Sequence, residues 1–298
     1  MPVQNWPDSE DDAAVPPRDV NAGSPPEPPE PDRPPAPGAA FHWVHDGWEP
    51  ALRCVPLESV AQHLFTSRQR AFPAAPATDR ADRWERVAGR LGIRPERLMR
   101  VKQVHGRGVR VVRRGEVAPG QSAERPEADA LVSNAPGVAL LVQVADCVPI
   151  LIADGRAGAV AAVHAGWRGT CEGIAGAAVE ALVREFGCHP PDMVAALGPS
   201  IGPDDYEVGD ALIETFRQAG HGSSLGRWFR RTNTDGAVHL DLWRANLDQL
   251  RAAGVPGGAV HRAELSTSRY PRWFESYRRD GAAAGRMAAL IVAPPREA

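Results

Sequence analysis

Residues 138–153 read VALLVQVADCVPILIA, and residues 159–170 read AVAAVHAGWRGT. Short apolar runs of this kind, bounded by Gly, Pro or Asp, read as strands. An acid and a thiol, Asp146 and Cys147, interrupt the first pair of runs. The third run ends on His164 and passes through Gly166-Trp167-Arg168-Gly169-Thr170 into a helical pattern.

The same signals recur on either side. They predict further strands at 99–104, 109–112, 193–197 and 287–292. After Thr170, the residues Ile174, Ala178, Ala181 and Leu182 repeat on one helical face, and Gly187 closes that helix. Trp243, Leu247 and Leu250 form a second stripe ending at Gly254, and a third helix is expected from about Asp79 to Leu91. No period of repetition exists, so the text describes an α/β (α+β) mixed-sheet domain and not a solenoid.

Residues 1–40 differ from the rest. They hold 12 prolines, several acids and almost no large apolar side chains. Such a segment buries too little surface to offset its ordering entropy, so it is expected to be a disordered tail, with 41–298 forming one catalytic domain. A proline-rich docking motif is the alternative, but Pro25-Pro26-Glu27-Pro28-Pro29 carries no strong anchor.

Composition removes several function classes. The formal charge is −3 over 298 residues, and no basic stripe with interleaved aromatics occurs, which argues against nucleic acid as a partner. No apolar run approaches the roughly 18 residues of a membrane span, and the polar N-terminus lacks the character of a secretory signal. Four cysteines at irregular spacing do not read as a disulfide framework. A cytoplasmic location is expected, with thiols free for metal or chemistry.

Three segments place reactive side chains where strands end. Gln103-Val104-His105-Gly106 offers a histidine beside a glycine, Ala145-Asp146-Cys147-Val148-Pro149 a thiol, and Val163-His164-Ala165-Gly166 a second histidine. Rigid scaffolds present functional groups at such loops. A buried polar group without a partner costs about 1–3 kcal/mol, so something must compensate these residues. Zinc is one candidate, because it takes imidazole and thiolate and keeps a fourth position open when three side chains hold it. The other reading is that each histidine is a hydrogen-bonded core residue and Cys147 a small buried hydrophobe. At the following turn the glycines allow close backbone approach, Thr170 can cap the helix, and Arg168 adds donors for an anion. A plain strand–helix turn with a solvated arginine is the alternative.

Taken together, the segments resemble the bacterial laccase-domain (multicopper polyphenol oxidase-like) family, whose members are regarded as purine nucleoside phosphorylases or peptidoglycan editing factors. The resemblance rests on Gln103–Gly106, Ala128-Asp129-Ala130-Leu131-Val132, residues 145–149 and residues 164–169. It continues through Leu197-Gly198-Pro199-Ser200-Ile201-Gly202-Pro203, Tyr206-Glu207-Val208-Gly209, residues 276–281 and Gly285-Arg286-Met287, and so covers about residue 60 to 293. It implies a layered α/β/β/α fold and a Zn2+ site formed by His105, Cys147 and His164, which with Arg168 are the candidate catalytic residues. It further implies phosphorolysis of adenosine, guanosine, inosine and methylthioadenosine, and deamination of adenosine. Purine nucleosides and phosphate are the expected partners. Arg68, Gln103 and Arg278, with Arg168, are the residues expected to position substrate or phosphate.

The chain also departs from the family pattern. His63-Leu64-Phe65-Thr66-Ser67-Arg68 matches an early element, but the Ser-Leu-Asn-Leu segment expected next is replaced by Gln69-Arg70-Ala71-Phe72-Pro73. A late Cys-Thr pair stands here as Ser266-Thr267, and Asp204-Asp205 replaces a cysteine expected near Pro203. Three other functions compete. Cys147 could be the nucleophile of a hydrolase or editing factor acting on a peptidoglycan precursor. The module could be zinc-stabilised and non-catalytic. Copper oxidation is the third; a blue-copper centre wants a weak axial methionine, yet Met1, Met99, Met193 and Met287 adjoin none of the three segments.

Overall fold

A computed structural model describes residues 33–45, 49–68, 81–118, 124–233 and 236–294. Residues 1–32 of the expected tail and the replaced segment at 69–73 lie outside the described residues. The last residues assigned to the tail lie against the body: Trp43 Nε1 donates to the Pro35 carbonyl at 2.8 Å, and the Gly38 N–H to that of Ala263 at 2.7 Å.

Two six-stranded sheets form the frame. The first orders Phe41–Val44, Ala51–Cys54, His63–Thr66, Met287–Val292, Ala139–Val144 and Leu98–Met99. The second orders Val260–Arg262, Met193–Leu197, Val148–Asp154, Ala159–Ala165, Ala130–Ser133 and Val109–Val112. A small three-stranded sheet holds Glu207–Val208, Val238–Leu240 and Phe229–Arg231. Parallel and antiparallel pairs occur in both large sheets.

Why the key strands read as unbroken apolar text follows from their two faces. In Val148–Asp154, Val148, Ile150 and Ile152 join an outer core, while Leu151 and Ala153 join a core between the sheets. Across that inner core stand Leu140, Val142, Ala289 and Ile291 of the first sheet. The helices Ile174–Phe186 and Leu242–Ala252 cover the outer face of the second sheet through Ala178, Leu182, Ala245 and Leu250. Trp84, Val87 and Ala88 of the helix Ala81–Gly89 cover the outer face of the first, against Leu64, Leu141 and Leu290. The layering is therefore α/β/β/α. No helix among the described residues is long and apolar enough to cross a membrane.

Two local expectations need correction. Of the expected strand at 99–104 only Met99 pairs in a sheet, as the end of Leu98–Met99, and Lys102 makes one isolated bridge to Glu127. Beyond it the Gln103 side chain takes over the ladder, donating to the Gln143 carbonyl and accepting from the Gln143 N–H, each at 2.8 Å. The chain then leaves the sheet. Thr170 does not cap a helix: the helix begins earlier, at Trp167 after Gly166, and breaks at Gly173, whose φ of 83° starts the next helix. The Thr170 hydroxyl instead accepts from Asn246 Nδ2 at 3.0 Å.

Candidate metal and nucleoside site

His164 belongs to the end of Ala159–Ala165, on the face that looks into the inner core, and is buried. Cys147 sits in the turn between Ala139–Val144, a strand of the first sheet, and Val148–Asp154, a strand of the second. His105 lies on the loop that crosses from the first sheet to Val109–Val112 of the second, and is exposed. The ligand-type atoms of these three side chains all lie within 4.8 Å of one another. The imidazole rings of His105 and His164 stand 4.8 Å apart, inclined at 72°. So three side chains from distant sequence positions meet at one mouth, buried on the His164 side and open on the His105 side.

The surroundings explain how they stay there. Gly166 leaves no room for more than hydrogen: a Cβ at that position would lie 2.8 Å from Cys147 Sγ and 3.3 Å from His105 Cδ2. Asp146 adopts a φ of 83°, a conformation uncommon for a residue with a side chain. Its buried carboxylate accepts from Thr267 Oγ1 at 2.5 Å, Ser276 Oγ at 3.1 Å and the Arg278 N–H at 2.6 Å. Asp129, fully buried, accepts from His164 Nδ1 at 2.8 Å and from the N–H groups of Val104, His105 and Gly106 at 3.2, 2.9 and 2.7 Å.

Charge follows from this geometry. Burial pushes the Cys147 thiol up, but His164 and His105 outweigh it and hold it down to about 6. Burial also works against charge on His164, yet the Cys147 sulfur and the Asp129 carboxylate push it up to about 9. Asp129 is lowered: burial opposes its ionisation, and His164 with the loop N–H groups overcomes that. A thiolate between two imidazoles is a donor set that suits zinc or copper. Of the described methionines, Met99 and Met287 are buried in the inner core, against which Cys147 also packs, and Met193 in the outer one.

The remaining expected residues fall into two groups. Arg168 follows Gly166 closely, is half-buried, and stacks its guanidinium 4.4 Å over Trp167. Among the described residues it has no hydrogen bond or ion pair. Arg278 is brought to the same neighbourhood by its N–H bond to Asp146, while its guanidinium donates to the Glu207 carbonyl at 2.7 Å and lies 5.0 Å over Tyr206. Arg68 is held by protein groups, Glu275 at 3.1 Å and the Pro271 carbonyl at 2.7 Å. Gln103 is likewise spent on Gln143. Two residues the candidate set omitted, Asp129 and Asp146, prove central to the geometry. A buried acid beside an apolar run was the available signal at both.

Comparison with known proteins places this arrangement among relatives. The family described as multi-copper polyphenol oxidoreductase laccase matches residues 76–294. A purine nucleoside phosphorylase of Deinococcus radiodurans is 40% identical over 260 residues, covering 83% of this chain and 94% of its own length. Adenosine deaminase RL5, from an unknown prokaryotic organism, is 38% identical over 203 residues, covering 67% of this chain and 76% of its own length. The crystal structure of YlmD from Geobacillus stearothermophilus superposes with a TM-score of 0.74 at 32% identity, covering 85% of this chain and 99% of that one.

Proposed function

Because this chain belongs to the multi-copper polyphenol oxidoreductase laccase family, we propose that it is a zinc-dependent purine nucleoside phosphorylase that also deaminates adenosine. Its substrates are adenosine, guanosine, inosine and methylthioadenosine, with phosphate. The observation that carries the reading is the meeting of His105, Cys147 and His164 within 4.8 Å, with Arg168 following on the same turn and, among the described residues, stacked on Trp167 without a hydrogen bond or ion pair.

The three side chains are the metal ligands in this reading. Two imidazoles and one thiolate match the ligand preferences of zinc and leave one coordination position for a reactant. Zinc is preferred to copper because no second cluster of three ligand-type residues exists among the described residues, and no methionine adjoins the three ligand segments in sequence. Bound there, zinc would supply Lewis-acid polarisation of an oxygen-bearing reactant.

The protein's own groups do the rest. In phosphorolysis a phosphate oxygen bonds to the sugar C1′ while the bond from C1′ to the purine nitrogen breaks, and the purine leaves with a proton. Arg168 would hold phosphate in this reading, its planar fork matching two phosphate oxygens. Arg278 contributes by carrying the loop anchored on Asp146. In deamination a water oxygen adds at C6 of adenosine and ammonia departs. The cytoplasm is the proposed compartment, and all four cysteines are free thiols.

Incubation with adenosine and phosphate should yield adenine with ribose 1-phosphate, and inosine. Neither product appearing with zinc-loaded protein sinks the proposal. A thiol-dependent hydrolase acting on a peptidoglycan precursor would use the same Cys147 beside His164. Zinc and the alkylating reagent would compete for that sulfur, so protection of Cys147 from iodoacetamide by stoichiometric zinc favours the metal reading.

A further inference from the structure

The loop that carries His105 has an unusual backbone. His105 itself adopts a φ of 61°, in the left-handed region that few side-chain-bearing residues enter. The N–H groups of Val104, His105 and Gly106 then all point inward to one place, and Asp129 fills that place. Successive N–H groups turned toward one point form a concavity that binds an anion. Here the anion is a side chain of the protein. The next amide, that of Arg107, donates to the carboxylate of Glu172.

Topology explains why one carboxylate can do this. Asp129 immediately precedes Ala130–Ser133, which lies between Val109–Val112 on one side and Ala159–Ala165 on the other. The first neighbour continues from the His105 loop; the second carries His164. The Asp129 carbonyl accepts the His164 N–H at 2.7 Å, and its own N–H donates to the Gly108 carbonyl at 2.9 Å. With His164 Nδ1 taken by Asp129 Oδ1, Nε2 is the nitrogen left for Cys147 and a metal.

We infer that Asp129 is the positioning residue of the metal site, its carboxylate serving at once as the anion around which the His105 loop folds and as the group that fixes the tautomer of His164. This rests on the reading of His105, Cys147 and His164 as metal ligands, and is independent of which nucleoside is turned over. Asp129 touches neither metal nor substrate; it acts through two of the three ligands. An amide in its place cannot serve: one oxygen becomes an NH2, which would face N–H donors on whichever side it lay.

The test uses the full chain with zinc(II) and cobalt(II) as probes. Asp129→Asn should weaken zinc binding by roughly 10- to 100-fold, the usual cost of losing a carboxylate behind a ligating histidine. It should also change the cobalt d–d and thiolate charge-transfer bands. Leu250→Ala, a cavity in the outer core at a residue outside the ligand set and the Asp129 network, should lower the melting temperature yet keep wild-type zinc affinity and cobalt bands. Asp129→Asn with both properties at wild-type values overturns the inference. Where Asp129→Asn does not fold, 15N resonances of the zinc-loaded wild type decide: His164 protonated at Nδ1 and metallated at Nε2 upholds it, and metallation at Nδ1 overturns it. A wild type that takes up no zinc removes the metal reading and this inference with it. Zinc bound as expected without nucleoside turnover removes only the proposed activity.

Discussion

Asp146 and Arg278, separated by 132 positions, are joined by a 2.6 Å hydrogen bond from the Arg278 N–H to Asp146 Oδ2. The residue next to the thiol thus holds the start of the segment that carries Arg278, an arginine proposed to position phosphate. Thr267 and Ser276 complete the same carboxylate's hydrogen bonds. Burial pushes the Asp146 carboxyl upward, and these donors oppose that push.

Thr267→Val removes the hydroxyl that meets Asp146 Oδ1 and keeps the shape. It should cost about 1–3 kcal/mol of stability, the penalty for a buried acceptor deprived of its donor. If the Asp146 cradle sets the position of Arg278, KM for phosphate should rise while zinc content stays at wild type. Denaturant titration and phosphate-dependent kinetics check the two parts, and an unchanged KM would detach Arg278 from phosphate binding.

Arg168→Ala should leave folding and metal content intact, because among the described residues that guanidinium has no hydrogen bond or ion pair to lose, only its stacking on Trp167. Phosphorolysis should fall roughly 10- to 100-fold through phosphate KM, about 1.4 kcal/mol for each tenfold. Deamination of adenosine, which uses water, should be far less affected. Equal loss of both activities would mean that Arg168 serves the nucleoside and not the phosphate.

Gly166→Ala tests how closely the backbone borders the ligands. Its φ of −75° suits any residue, so the new methyl, 2.8 Å from Cys147 Sγ, is the whole perturbation. The sulfur or the turn must shift, and zinc stoichiometry should drop below that of the wild type with little change in far-ultraviolet circular dichroism. Full zinc occupancy with wild-type affinity would show that the turn yields more readily than the distance implies.

Much of the frame was legible because the strands that position Cys147 and His164 are apolar on both faces; 193–197 and 287–292 were read to the residue for the same reason. The strands Phe41–Val44, Ala51–Cys54 and Phe229–Arg231 are not legible, since each is only three or four residues long and is broken by polar residues, His42, Arg53, Arg230 and Arg231. The three ligand-type residues could be picked out one by one from strand ends, but their meeting depends on the pairing of Ala130–Ser133 with its two neighbours, which no local pattern encodes. Asp129 and Asp146 stand inside recognisable motifs that do not reveal what they do. Their role lies in backbone N–H groups drawn from 104–106 and 278, and a sequence does not show where amides point.

A pH test of the frame itself comes from His63, which is almost fully buried in the first sheet. Its Nε2 accepts the Cys54 N–H at 2.8 Å, and its Nδ1 meets the Ala61 carbonyl at 3.1 Å, so the ring is neutral with its proton on Nδ1. Burial lowers its pKa from the ordinary 6.5 to about 4, only partly offset by the Ala61 carbonyl and Glu58. Between those values the unfolded chain binds the proton and the folded chain does not. The His63 contribution is therefore complete above pH 6.5 and is lost as pH falls toward 4, by up to about 3 kcal/mol at 1.36 kcal/mol per pKa unit. His63→Gln, which does not titrate, should be less stable at pH 7 yet lose less on acidification across this interval. Melting temperatures of both proteins at matched ionic strength between pH 7 and 4 measure the difference; parallel curves would mean that His63 takes up a proton without opening the sheet.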